Sequence, residues 1–204
     1  ATIVNQFVSS DVDLILANAT APLQAAAAAT NEIPILGTSV TDYATALSID
    51  DWTGVTGTNI SGTSDLAPLD QQADMLHELF PDAKNVGILY CSAEANSSYQ
   101  SNTIQKYNTA ASNTEIIQNI CQPAGIPIIT GEEGICSGCG VATLSISYYD
   151  LGYKTGEMAY EILVNGADVS QTAVEFAPNV TKKYNVANCE ALGITVPDDY
   201  VAIE

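Results

Sequence analysis

The polar loops of this chain carry the residues that could do chemistry. "NISGTSDLAP", Asn59 to Pro68, crowds small hydroxyl and amide side chains around a glycine, then an aspartate, then the start of a helical run. Four further loops are built alike: "NAT" after "LILA", "GTSVTD" after "IPIL", "CSAEANSS" after "VGILY" and "GEEG" after "IPIIT". Thr20, Ser39, Thr41 and Ser64 supply donors at strand ends or helix starts, with Asn96 and Ser97 beside them. Asp42, Asp65, Glu94, Glu132 and Glu133 supply carboxylates. Hydroxyls, backbone N–H groups and helix N-termini suit a ligand carboxylate, and a carboxylate suits an ammonium. The set therefore matches both ends of a free amino acid. Tyr43, Tyr148 and Tyr149 could flank an apolar or aromatic side chain. No arginine lies in these loops, which disfavours dicarboxylate, phosphate or sulfate ligands, because those favour guanidinium forks. Each residue also has a plainer reading. Asp65 can cap a helix, Glu132 and Glu133 can form a solvated turn, Asn96 and Ser97 can cap, and Tyr148 and Tyr149 can pack an interface. Shared position after strands argues more than any one residue.

Other chemistries find less support. "CSGC", Cys136 to Cys139, has the spacing of half a zinc site, but a structural zinc needs four ligands, so no metal is expected. A redox motif of the thioredoxin type would open a helix after the first strand of its domain, whereas this motif reads as part of a glycine-rich turn. Cys136 and Cys139 are instead a candidate disulfide, or paired thiols bracing the loop after "GEEG". His77 is the single histidine, and no G-x-S-x-G elbow accompanies it. "GVTGTNISG" lacks the G-K-[ST] of a phosphate-binding loop, so its glycines read as turn makers and no cofactor is expected.

These loops need a scaffold, and the composition permits one. The 204 residues are 47% hydrophobic, enough for one large domain or two lobes. Twenty-four acidic residues face five basic ones, a net charge of -19. Five cations cannot assemble a phosphate-binding surface, so nucleic acid is excluded as a partner. No apolar run reaches the roughly 18 residues of a membrane span. The opening "ATIVNQFVSS" reads as the last turns of a helix whose beginning is missing. Five cysteines, an odd and loosely spaced set, do not describe a disulfide framework.

Periodicity then places the loops. Strands are expected at "DLILA" (13–17), "IPILGTS" (33–39), "NVGILY" (85–90), "IPIIT" (126–130) and "VATLSIS" (141–147). Helices are expected at 21–30 with Thr20 as N-cap, at 67–80 capped by Asp65 or Ser64, at 96–107, at 113–122, and from Tyr148 to a stop at Gly166. Leu69, Ala73, Leu76 and Phe80 form the inner stripe of the second of these. Two short strands are expected around "TAVEF" and "KYNVAN". Strand and helix alternate, so the fold class is α/β with parallel sheets, whose ligands sit at the carboxyl ends of the strands. One junction lacks a strand. Two helical runs meet near 107–108, which implies a missing strand there, since parallel strands need crossovers of this kind.

The order "NISGTSDLAPLDQQADMLHELFPDAKNVGILYCSAEANSSYQ", then "IPIITGEEG", then "VATLSISYYDLGYKTGEMAYEIL", resembles substrate-binding proteins of bacterial ABC transporters. It is most like the branch with the type I periplasmic-binding fold that includes tryptophan and tyrosine binders, from about Leu14 to Pro197. The family's first strand–helix–strand has no counterpart before Ala1, and its "PTDN" strand end survives only as Asn108-Thr109. The resemblance implies two Rossmann-like lobes, 1–60 with 141–168 and 61–140 with 169–204, closing on a ligand. Thr63, Ser64 and Asp65 would face that ligand at a crossing, with Asn108 at the broken strand end. It also implies a monomeric, extracytoplasmic or lipid-anchored protein without catalysis, handing an amino acid, aromatic by preference, to a membrane permease. Two other classes fit the residues: an α/β enzyme using Asp42, Asp65 or the Glu pair as acid and base, and a sensor reporting ligand to a receptor.

Overall fold

The computed structural model describes residues 2–90, 95–107, 121 and 123–203. The chain divides into two compact units: Ala1–Leu66 with Ser147–Pro178, and Ala67–Ile146 with Asn179–Glu204.

The first unit is built on a four-stranded sheet in the order β1-β2-β3-β6, all parallel: β1 (Ile15–Asn18), β2 (Ile35–Val40), β3 (Ile60–Ser64) and β6 (Glu175–Phe176). Ile35 and Leu36 are fully buried on opposite faces of β2, as a central strand covered on both sides requires. β1 lies at the sheet edge, so "DLILA" is buried on one face alone and Leu16 stays exposed. Around the sheet run α1 (Thr2–Ser9), α2 (Thr20–Ala27), α3 (Tyr43–Leu47) and α7 (Tyr148–Leu163). Ile15, Ala17, Leu23, Ile35, Tyr43 and Ile60 share one core, and Leu36 meets Met158 and Ile162 of α7 on the other face. The helix ends at Leu163, before Gly166, whose φ of 72° lets Ala167 N–H return to the Glu161 carbonyl at 3.0 Å.

The second unit holds a sheet in the order β4-β5-β7-β8: β4 (Ile129–Thr130), β5 (Ala142–Ile146), β7 (Val180–Tyr184) and β8 (Val201–Ala202), with β5 and β7 antiparallel. Among its described residues the helices are α4 (Leu69–Leu79), α5 (Ala95–Tyr107), α6 (Glu133–Cys139) and α8 (Val186–Leu192). Met75, Val141, Ala142, Leu144, Cys189 and Tyr200 form its core. On α4 the inward residues are Leu69, Ala73 and Met75, while Leu76 and Phe80 sit at the boundary.

Several expectations need correction. "NVGILY" forms no ladder among the described residues and has Leu89 and Tyr90 exposed. An apolar run becomes a strand only beside a partner ladder, and among the described residues β4, at the edge of its sheet, pairs with β5 alone. "NVAN" begins α8, because the Asn185 side chain accepts the Asn188 N–H and caps a helix there. "CSGC" is helical rather than a turn. The helix expected at 113–122 and the inferred break at 107–108 fall on or against residues outside those described. Among the described residues no helix is long and apolar enough to cross a membrane.

Candidate functional site

In the first unit the carboxyl ends of β1, β2 and β3 carry the polar loops, as the parallel topology demands. Two of those ends are strained. Ala19, directly after β1, holds φ 83°, and Ser39, near the end of β2, holds φ 53°. Both are costly for residues bearing a Cβ, and such strain concentrates where a backbone is shaped for a ligand. Ser39 lies in a register shift between β2 and β3, which pass from Gly37↔Gly62 to Val40↔Ser64 with one extra residue on β2. The Ala19 N–H donates to the Thr38 carbonyl at 2.9 Å and ties the two loops together.

Asp65 stands at the centre of this edge. Its backbone N–H donates to the Val40 carbonyl at 3.3 Å, fixing it beside the end of β2. The Tyr148 hydroxyl, from the first turn of α7, donates weakly to Oδ2 at 3.5 Å. The other carboxylate oxygen, Oδ1, is buried and has no hydrogen-bond partner. Burial holds the Asp65 carboxyl above the ordinary carboxylate range, opposed by hydrogen bonding from Thr41, its own amide and Tyr148. The Thr41 hydroxyl thus eases the charge without satisfying Oδ1 at hydrogen-bond geometry. A half-buried carboxylate with an idle oxygen is an unmet demand for a cation.

The remaining carboxylates are already committed. Asp42 caps α3, accepting from the Ala44 N–H at 3.2 Å and from the Thr45 hydroxyl. Glu132 caps α6, accepting from Gly134 N–H at 2.9 Å and Ile135 N–H at 2.6 Å. Glu133 Oε2 pairs with Lys183 Nζ at 2.7 Å and accepts from the Ser145 hydroxyl at 3.0 Å. The Lys183 hydrogen bond holds its carboxyl below the ordinary range. Asp65 is no helix cap: Pro68 occupies the N-cap of α4, and no side chain bonds that helix start.

The hydroxyls sort in the same way. Thr63 and Ser64 are 0% and 2% exposed and are spent inside the unit. Thr63 Oγ1 bonds Thr155 Oγ1 at 2.9 Å, and Ser64 Oγ donates to the Thr41 carbonyl at 2.8 Å and accepts the Leu66 N–H at 3.1 Å. Both brace β3 rather than face solvent. Thr20 is the first residue of α2 and not its cap; Ala19 holds that position without a side-chain bond. The edge thus brings together Thr20, Ser39, Thr41, Asp65 and Tyr148. Asn96 and Ser97, half-buried in the first turn of α5, belong to the second unit with Glu132 and Glu133. Glu94 and Asn108 lie outside the described residues.

Tyr43 is not a ligand-flanking ring. It is buried at 2% exposure, and its hydroxyl donates to the Thr63 carbonyl at 3.1 Å. Burial, then the nearby Asp65 charge, pushes that hydroxyl far above the ordinary phenol value. It lies across the paired Gly37 and Gly62, where any Cβ would collide with it, and Gly62 also crowds the Gly37 carbonyl at φ 143°. Sequence reading missed this mount, though two glycines inside strands are the signal of a close approach. Cys136 and Cys139 are both free thiols, so the candidate disulfide is not formed here. The short helix turns Cys136 into the core beneath Gly140, where burial pushes its thiol up to about 11, while Cys139 Sγ donates to the Ile135 carbonyl.

Comparison with known proteins agrees with this architecture. The family model described as ABC transporter substrate binding protein matches residues 1–107 and 98–203. A tyrosine-binding protein of Clostridioides difficile (strain R20291) is 32% identical over 200 aligned residues, 79% of this chain; the chain spans 58% of that relative's length. A ligand-free, open structure of a Clostridium difficile substrate binding protein with adhesive properties is 30% identical, with a TM-score of 0.80 over all of this chain and 82% of that one. An ABC domain from Streptococcus pneumonia, solved in complex with L-Trp, has a TM-score of 0.85 at 24% identity over all of this chain and 84% of that one. With two α/β units of parallel and mixed sheets matched end to end, the chain belongs to the ABC transporter substrate-binding protein family.

Proposed function

We propose that this chain binds an amino acid with an aromatic side chain and presents it to an ABC permease on the outer side of the membrane. The observation that carries the reading is Asp65. Of the described candidate acids it alone keeps a buried oxygen uncommitted, and an ammonium is the group that would satisfy it. The hydroxyls of Thr20 and Ser39 stand along the same edge, beside the strained backbone at Ala19 and Ser39, and supply neutral donors for a carboxylate. Tyr148, half exposed at the start of α7, offers its ring to an apolar side chain. The name of the Clostridioides relative and the L-Trp bound to the streptococcal neighbour support the aromatic preference. Binding without catalysis fits the acids as they stand, since Asp42 and Glu132 are occupied as caps and Glu133 is held by Lys183. We infer a monomer in which ligand occupancy, not chemistry, is the product.

A thermal-shift panel of the L-amino acids tests this, followed by calorimetry on the hits. Aromatic members should raise the melting temperature, because a ligand at about 100 times its Kd adds about 2.7 kcal/mol to the folded state. A flat panel, or slow heat from turnover in the calorimeter, would sink the reading.

A further inference from the structure

A zwitterionic ligand has two charged ends, and this chain is equipped unequally for them. The ammonium meets Asp65, a carboxylate already desolvated and missing a partner on Oδ1. Among the described residues of the first unit no uncommitted cation answers the other end. The chain has no arginine, and its five basic residues are lysines. The one lysine within the first unit, Lys154, is held by Glu175 at 3.0 Å and Glu157 at 3.6 Å. In the second unit Lys182 is bound to Glu78 at 2.8 Å and Asp199 at 3.0 Å, and Lys183 to Glu133 at 2.7 Å. Lys84 stands in the exposed run after α4, and Lys106 lies on α5.

The charge balance follows. Ionised Asp65 and a zwitterion together sum to a net -1. The same site with a monoamine is neutral. Neutral donors can do little more than replace the water that a ligand carboxylate gives up on binding. The ammonium does more, because it relieves a burial cost that the empty protein already carries. The overall charge of -19 works in the same direction, drawing cations in and repelling carboxylates.

Resting on the amino-acid reading above, we infer that the ammonium is the obligatory recognition element and the carboxylate a dispensable one, so that aromatic monoamines are ligands of this protein at the same site. The chemical class is a primary arylethylamine, the amino acid without its carboxylate.

Calorimetry at fixed pH and salt tests this with two sets of probes. One is L-tyrosine, tyramine and 3-(4-hydroxyphenyl)propionate; the other is L-tryptophan, tryptamine and indole-3-propionate. Within a set that binds, the amine should lie within about 10-fold of the amino acid, and the propionate should be weaker by about 100-fold or more, the range of a charged hydrogen bond lost. Asp65→Ala should weaken amine and amino acid together, by about 10-fold or more. If the amino acid binds and the amine is weakened more than the propionate, this inference is overturned while the amino-acid reading stands. An amine that binds equally well to Asp65→Ala overturns it too, since the amine is then held elsewhere. If neither amino acid nor amine binds in either set, the amino-acid reading has failed and this inference with it.

Discussion

At the scale of single residues, Asp65 carries the proposed site and is also a liability. Asp65→Ala should weaken amino-acid binding by roughly 1.5–3 kcal/mol, read by calorimetry. The same substitution should raise the melting temperature of the unliganded protein, because it removes a carboxylate whose burial is not repaid. The sign of the pH effect is fixed by the raised pKa. Folded Asp65 takes up its proton at a higher pH than the unfolded chain does, so its penalty is full above the folded pKa and fades as pH falls through it. Ligand affinity runs the opposite way, because the protonated acid no longer attracts an ammonium. A calorimetric pH series should therefore show affinity dropping at a pH above the ordinary carboxylate value, and Asp65→Asn should flatten that drop. The candidate was legible from the loop "GTSDLAP", but its standing was not. An aspartate shortly before a helix reads equally as a cap. The decision was made by Pro68, which takes the N-cap and starts the helix four residues beyond Asp65. Asp42 and Glu132 went the other way for the same local reason: each lies close enough to free helix N–H groups to be consumed by them.

At the scale of elements, α6 is the instructive case. "GEEGICSGCG" carries four glycines in ten residues and reads as a turn, yet Glu133–Cys139 is helical. Two N–H groups are gathered by one carboxylate, Glu132, and Cys136 is drawn into the core. Glu132→Ala should cost about 0.5–2 kcal/mol in a denaturant titration with the slope unchanged. Glu133, bound to Lys183, should matter less, as partly exposed ion pairs do. Strands surrounded by partners were legible from apolar runs, as β2 and β5 are. "NVGILY" was not, because ladder formation depends on what lies beside a run, which its own composition does not report.

At the scale of the whole molecule, alternation of strand and helix announced the α/β class, and the excess of acid announced the solvent-facing character. That excess has a thermodynamic consequence. A chain at -19 with its described ion pairs confined to Lys154, Lys182 and Lys183 repels itself in the folded state. Raising salt from about 0.01 M to 0.15 M shortens the screening length from about 30 Å to about 8 Å. The melting temperature of the unliganded protein should therefore rise over that interval in a neutral salt, and a fall would mean that the ion pairs outweigh the repulsion.

The slot beneath Tyr43 makes three positions inherit one another's fate. Gly37 and Gly62 face each other across β2 and β3, and one phenol ring claims the space that either side chain would need. Gly37→Ala should be severely damaging while the tyrosine stands, and far milder once Tyr43→Ala has emptied the slot. Measured as a double-mutant cycle, that pair should show strong positive epistasis. The same cycle with Gly62→Ala should recover much less, because Gly62 also meets the Gly37 carbonyl at a φ that only glycine accepts cheaply. Drift at this sheet centre is thus ordered: Tyr43 must change before Gly37 can, and Gly62 remains fixed under either history.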